Sequence, residues 1–167
     1  MRRGARRHVV VLTLLFLAAC GGAVEPETGP PDLAFGQRVC ARCGMSVDDP
    51  RFAAALREGA EQGSSSLFVY DDVGEIFLDM AAPQGIAPSE IWVHDAESSA
   101  WIEGRSAHYV RGRIASPMAL GIEAYAGAEA ATRRAGEIGG EVLGFDALMD
   151  LARRGDLETN FNQEDAR

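Results

Sequence analysis

The sequence predicts a small single domain of the α+β class, with antiparallel or mixed sheets and short helices. Segments typical of strands come in pairs and are followed by segments with helical periodicity, an order that favours α+β over alternating βαβ units. The folded pattern covers residues 35–155 of the 167-residue chain. That length of about 120 residues is the usual size of one domain with its own core.

The first half of the domain predicts a strand pair and a helix. Residues 52–57 and 67–70 lie on either side of a Gly/Ser-rich break, typical of two strands joined by a long loop. Apolar residues then recur at helical spacing, at Val73, Ile76, Phe77 and Met80. Asp72 and Glu75 stand at the N-cap and the third helical position, in an Asp variant of the capping box. We therefore assign Asp71-Asp72 to helix capping rather than to an acidic site.

The second half predicts short strands and two further helices. Strand character recurs at 91–94, at both ends of 101–110, at 122–126 and at 141–145. Residues 128–138 are typical of a small-residue helix, and Gly139-Gly140 ends it. A final short helix places three apolar residues on one face, Leu148, Leu151 and Ala152.

The N-terminus is typical of a bacterial export signal. Four arginines among the first seven residues precede an apolar run from Val9 to Ala19. The run has about the length of a signal core and is shorter than the roughly 20 residues that span a bilayer. Residues 17–20, Leu-Ala-Ala-Cys, resemble a lipobox, so we predict removal of residues 1–19 and lipidation of Cys20. An ordinary signal peptide with a chance cysteine is the alternative.

The segments that flank the domain are polar. Residues 20–34 are predicted to form the lipidated cysteine and a flexible tether rich in Gly, Pro and Glu, and residues 156–167 a polar tail. Two or more acyl chains on one cysteine give stable anchoring. Gly21 after the cysteine resembles signals for onward transport. The expected location is therefore the periplasmic face of a bacterial membrane, the outer membrane in preference to the inner.

The charge of the chain is acidic. Its formal net charge is −9, and removal of residues 1–19, which hold four arginines and no acids, makes it −13. No lysine occurs anywhere in the sequence. This composition excludes nucleic acid, which requires a basic surface, and a polybasic membrane patch. A solvated acidic surface is the simplest explanation.

Two thiols and a thioether lie within six residues, at Cys40, Cys43 and Met45. Sulfur donors of both kinds suit a soft monovalent metal such as Cu(I) better than a hard cation. Gly44 permits a tight turn that would bring Met45 near such a metal, although a lone methionine is usually a filler of core gaps. Met118 follows Ser116-Pro117 in a loop and gives a weaker hint of a further thioether ligand.

A C-x-x-C pair has other uses, and the residues alone leave them open. A structural zinc site needs four ligands, and here no second C-x-x-C exists. His94 and His108 lack zinc-finger spacing and are better explained as partly exposed strand residues. A thioredoxin-like couple would follow a strand in a βαβ unit, which is not predicted before Cys40. A static disulfide between Cys40 and Cys43 fits an oxidising envelope.

These motifs, in this order, resemble the NosL family, periplasmic copper-handling lipoproteins associated with maturation of nitrous oxide reductase. The segments that carry the resemblance are CARCGM at 40–45, FVYDDVG at 68–74, WVHD at 92–95, WIE through YV at 101–110, SPM at 116–118 and GGEVLGF at 139–145. The resemblance implies a small α+β fold related in topology to organomercurial lyases.

The resemblance also implies a site and a function. Cu(I) would be bound by cysteine and methionine sulfur, with Cys40 and Met118 as leading ligands and Cys43 and Met45 as supporting candidates. The protein would be a copper chaperone rather than an enzyme, and its client a copper enzyme, with nitrous oxide reductase or its assembly machinery expected. Residues 119–120, Ala-Leu, depart from the glycines that the family has after this methionine.

Two rival functions follow from the same features. An envelope binding module could use the Cys40–Cys43 pair only as a structural or redox disulfide. An enzyme could cleave carbon–metal bonds with thiols, as the related lyases do. Those lyases draw their thiols from distant positions, whereas this chain has both in one motif.

Overall fold

The computed structural model describes residues 28–59 and 65–157. The predicted signal peptide, Cys20 and the tail beyond residue 157 lie outside the described residues, so the predictions made for them stay predictions. The described part of the chain contains two antiparallel sheets and three helices, which confirms the α+β class. None of these helices has the length and apolar composition needed to cross a membrane.

The elements follow the predicted order. They are β1 (Ala54–Glu58), β2 (Ser66–Tyr70), α1 (Val73–Ala81), β3 (Pro88–His94), β4 (Trp101–Glu103), β5 (His108–Arg111), β6 (Ile122–Tyr125), α2 (Ala128–Ile138), β7 (Glu141–Leu143) and α3 (Phe145–Arg154). The ambiguous segment 101–110 is two strands joined by a turn. The prediction of strand at Phe145 was wrong, because this residue begins α3 and packs against Phe77 of α1.

The two sheets have the strand orders β2-β1-β3-β4 and β6-β5-β7. Every neighbouring pair is antiparallel, as the pairing of β1 with both β2 and β3 illustrates. A single parallel bridge joins Asp95, just after β3, to Ala124 of β6. The sheets therefore meet at the carboxyl end of β3 and at β6, an edge strand of the second sheet.

Helix α1 lies in the main core. Its residues Ile76 and Phe77 are fully buried, and the Phe77 ring packs edge-on against Tyr109 of β5 with 5.3 Å between centroids. The whole first turn is enclosed, from Val73 to Phe77. Buried polar groups in this turn therefore need protein partners in place of water.

Helix α2 covers the second sheet and ends before Gly139, as predicted. Its buried residues Ala131 and Ala135 pack in a smaller cluster that also contains Phe52, Val110 and Tyr125. This cluster is separate from the main core around α1. Helix α2 thus covers one face of the second sheet, whereas Tyr109, Ile122 and Ala124 of the same sheet belong to the main core.

Candidate metal centre

A tight hairpin carries the two cysteines. Val39 and Ser46 form an antiparallel bridge, and the Cys40 amide donates to the Met45 carbonyl at 2.7 Å. The Gly44 amide donates back to the Cys40 carbonyl at 3.1 Å. Gly44 has a φ of 76°, in the left-handed region where only glycine is unstrained. The turn that the sequence predicted at Gly44 therefore closes the hairpin and draws the thiols together.

The hairpin is attached to the elements that lead into α1. The Ala41 amide donates to the Val69 carbonyl of β2 at 2.8 Å, and the Arg42 guanidinium pairs with the Asp79 carboxylate of α1. Cys40 is only 2% exposed, and Cys43 is half-buried. Both are free thiols. These contacts hold the thiols over the first turn of α1.

Two carboxylates meet the thiols there. The Cys40 thiol donates to Glu75 Oε2 at 2.8 Å, and the Cys43 thiol donates to Asp71 Oδ1 at 3.2 Å. Ligand atoms of these four residues all lie within 4.8 Å of one another. This set, which we call the thiol–carboxylate cluster, converges closely enough to surround one ion.

Burial holds protons on the cluster. Burial, then the hydrogen bond to Glu75, raises the pKa of the Cys40 thiol, and burial also raises that of Cys43. The pKa of Glu75 rises to about 7, chiefly through burial and then through the neighbouring Asp71 carboxyl group. A bound cation would favour the ionised forms of these groups. Metal binding at this cluster is therefore coupled to release of protons.

The two predicted methionine ligands are exposed. Met45 lies in the same hairpin and is 43% exposed, and Met118, in the loop between β5 and β6, is 37% exposed. The Met118 amide donates to Asp72 Oδ2 at 3.0 Å, so this loop is joined to the residue next to Asp71. The structure thus brings Cys40 and Cys43 into one cluster, whereas the ligand roles of both methionines stay predictions.

The histidines lie outside the cluster. Both are strand residues, as predicted, but His94 is only 4% exposed, so the prediction of partial exposure was wrong for it. Its ring packs edge-on against Trp101 at 4.0 Å and against Phe35 at 5.5 Å, and its nitrogens have no hydrogen-bond partner among the described residues. Burial lowers the pKa of His94. The nearby Pro50 backbone acts in the opposite direction and is the smaller effect, although it is not placed to form a hydrogen bond with the ring.

The assignment of the acidic residues to helix capping was correct only for Asp72. Its Oδ1 accepts from the Gly74 amide at 2.9 Å and caps α1. Glu75 instead accepts the Cys40 thiol, and Asp71 accepts the Cys43 thiol, so neither completes a capping box. One feature of the sequence could have indicated the roles of Asp71 and Glu75. They are two acids four residues apart at the start of a helix whose first turn is otherwise apolar.

The cluster offers donors of two kinds. Thiolate together with thioether suits Cu(I), whereas two thiolates with two carboxylates form a four-ligand set that suits Zn²⁺. The residues present can therefore hold a metal ion, and the thioethers decide which ion they hold best. Fold and site together define a small α+β domain with a thiol–carboxylate cluster suited to metal binding.

The family model of NosL matches residues 34–151, most of the chain. The chain belongs to the NosL family. The crystal structure of the copper chaperone NosL from Shewanella denitrificans shares this fold, with a TM-score of 0.59 and 20% sequence identity over 72% of this chain and 95% of that one. A comparison with curated protein sequences finds no significant match.

Proposed function

We propose that this protein is a periplasmic, membrane-anchored chaperone that binds one Cu(I) ion and delivers it to a copper enzyme. The observation that carries the proposal is the convergence of Cys40 and Cys43 with two carboxylates within 4.8 Å, in a chain of the NosL family. The solved structure that shares the fold is described as a copper chaperone.

Sulfur supplies the ligands in this proposal. Cys40 and Met118 are the leading pair, and Cys43 and Met45 support them. Both methionine side chains are exposed, so they can meet an ion that arrives from solvent or from another protein. Thiolate and thioether donors are the soft ligands that Cu(I) prefers.

Transfer takes place by ligand exchange and involves no covalent chemistry, so the protein is not an enzyme. Cys40 is buried, whereas Cys43 and the methionines are more exposed, so an incoming ligand would approach from their side. The thiol protons point at Glu75 and Asp71, which are placed to accept them when copper binds. The ion is cargo, held by few enough ligands to be released.

Lipidation of Cys20 would anchor the chaperone to the periplasmic face of the membrane, the outer membrane in preference to the inner. The lipobox-like residues 17–20 and the tether up to residue 34 support this location. Membership of the NosL family supports nitrous oxide reductase or its assembly machinery as the client.

The carboxylates favour a second candidate cargo, a divalent ion such as Zn²⁺. Asp71 and Glu75 contribute half of the cluster, and a hard oxygen pair of this kind adds little to the binding of Cu(I). Both ions are therefore offered separately in the experiment that tests the function.

The test is an anaerobic titration of the reduced soluble protein, residues 21–167 without the lipidated Cys20, with Cu(I) and with Zn²⁺ against chromogenic chelators. We expect one tight equivalent of Cu(I), weakened at least about tenfold by Cys40→Ser and by Met118→Leu, because loss of an outer partner of a ligand alone costs that much. Met149→Leu, a matched change in α3, should leave the affinity unchanged. Absence of Cu(I) uptake would contradict the proposal, and tight Zn²⁺ binding alone would favour the second cargo.

A further inference from the structure

We infer that Asp72 is a positioning residue that fastens the loop carrying Met118 to the first turn of α1, the same turn over which the two thiols lie. The inference rests on the proposed function, in which Met118 is a ligand. Asp72 would then have two roles, as the cap of α1 and as the attachment point of the Met118 loop.

The two oxygens of Asp72 serve different partners. Oδ1 accepts from the Gly74 amide at 2.9 Å, which caps the helix. Oδ2 accepts from the Ser116 hydroxyl at 2.6 Å and from the Met118 amide at 3.0 Å. The Ser116 oxygen in turn accepts from the Gly121 amide at 3.0 Å. One carboxylate therefore holds a helix with one atom and a distant loop with the other.

A second contact holds the other end of the same loop. A Cβ added to Gly74 would lie 2.6 Å from Leu120 Cδ1, so the absence of a side chain at this position admits Leu120 against α1. Ala119 turns the chain there with a φ of 57°. Met118 thus lies between two attachment points.

The opposite side of the same turn faces the thiols. Asp71 accepts the Cys43 thiol and Glu75 accepts the Cys40 thiol. Asp72 has extended backbone angles, φ −131° and ψ 127°, and neighbouring side chains on extended backbone point to opposite sides. Adjacent aspartates therefore hold the thiol hairpin and the Met118 loop, one each, and loss of Asp72 would free the loop without touching the thiols.

A carboxylate is required because the loop presents two donors. Hydrogen bonds to an ionised acceptor are stronger than neutral ones. Burial raises the pKa of Asp72, and the hydrogen bonds that its oxygens accept oppose that rise. Asparagine could still cap the helix through its oxygen. Its amide group, however, would direct hydrogens at the Met118 N–H. Asp72→Asn therefore separates the cap from the loop contact.

The test compares Asp72→Asn, Met118→Leu and the double variant in the mature protein. Cu(I) affinity is measured by chelator competition, and X-ray absorption counts the sulfur atoms bound to copper. We expect Asp72→Asn to weaken binding by roughly 10- to 100-fold and to remove one sulfur neighbour, as Met118→Leu does. The double variant should be no weaker than Met118→Leu, because both changes remove the same ligand.

A measurement without copper tests the geometry itself. Hydrogen exchange of the Met118 amide should be faster in Asp72→Asn, because the buried acceptor of that amide is lost. Ser116→Ala, which removes only one of the donors, should give a smaller change in exchange and in affinity. Ile138→Ala in α2 serves as a control for lost stability and should leave the copper affinity unchanged.

The outcomes separate this inference from the proposed function. Unchanged copper affinity and an unchanged sulfur count in Asp72→Asn and Ser116→Ala would overturn the inference alone. A double variant in which the two losses add would also overturn it, because Asp72 would then act through stability and not through Met118. Absence of Cu(I) uptake by the wild-type protein would overturn the proposed function and this inference together.

Discussion

Glu75 lies fully enclosed in the first turn of α1, among apolar neighbours. An isolated buried carboxyl group is costly, and so is an isolated buried thiol with no acceptor. Here each satisfies the other at 2.8 Å, and a proton is retained between them. At the residue scale the metal-free site is therefore a hydrogen-bonded pair, ready to exchange its proton for a cation.

His94 presents the opposite case, because within the part of the chain that the structure describes its buried ring nitrogens have no hydrogen-bond partner. Its folded pKa lies below the ordinary value of 6.5, so the folded state takes up a proton less readily than the unfolded state. The stability that this residue contributes is present above about pH 6.5 and is lost as the pH falls below that value.

We predict that His94→Leu removes the loss of folding stability that His94 causes below about pH 6.5. Denaturant unfolding of both proteins between pH 5 and pH 7.5 measures it, and the stability of the wild type relative to the variant should fall by up to about 1.4 kcal/mol per pH unit below pH 6.5. Other titrating groups contribute equally to the pH dependence of both proteins, so their contributions cancel in the difference between the two unfolding free energies. Two curves that stay parallel across this range would contradict the prediction.

At the scale of elements, the packing of α1 depends on the close approach of the Leu120 side chain to Gly74. An added methyl group would meet Leu120 at 2.6 Å. Gly136 in α2 is also a helical glycine, but an added Cβ there would have no atom within 4 Å. The same substitution at these two positions therefore tests packing against helix propensity.

We predict that Gly74→Ala destabilises the protein by about 1–3 kcal/mol through overpacking. Gly136→Ala, its matched control, should stabilise by about 0.5–1 kcal/mol through helix propensity and reduced freedom of the unfolded chain. Denaturant unfolding measures both. The prediction would be contradicted by a stabilising Gly74→Ala, which would mean that the Met118 loop shifts without cost.

The elements were predictable from sequence where their signals are local. The spacing of Val73, Ile76 and Phe77 predicted α1, and the short spacing of Cys40 and Cys43 placed both thiols in one candidate site. The partner of Glu75 was not predictable, because Cys40 is 35 residues away and reaches it through the contacts that attach the hairpin to β2 and α1. Local spacing alone therefore suggested a capping box.

Other parts of the site also depend on tertiary contacts. His94 is buried because Phe35, from a separate segment, packs over its ring. The sequence alone placed Met118 in a loop, and only the resemblance to the NosL family made it a leading candidate ligand. Its attachment to Asp72 joins residues 46 positions apart. Contacts of this separation are created by the fold and leave no periodic pattern.

For the molecule as a whole, the cysteines divide into one outside the described residues and two in the site. We predict that Cys20→Ser no longer incorporates labelled fatty acid, because the residue that would carry the acyl chains is absent. Cys43→Ser should still incorporate the label. Metabolic labelling followed by immunoprecipitation measures both, and labelling of Cys20→Ser would contradict the lipoprotein prediction.

The adjacency of Asp71 and Asp72 makes this protein sensitive to chain length at one point. Because the two side chains hold different segments, inserting a single residue between them would turn one of them to the wrong side. A substitution changes the contacts of one residue, but a shift of register here would misdirect two buried carboxylates at once. The relative position of the thiol hairpin and the Met118 loop therefore depends on the number of residues between their attachment points, as well as on the identity of those residues.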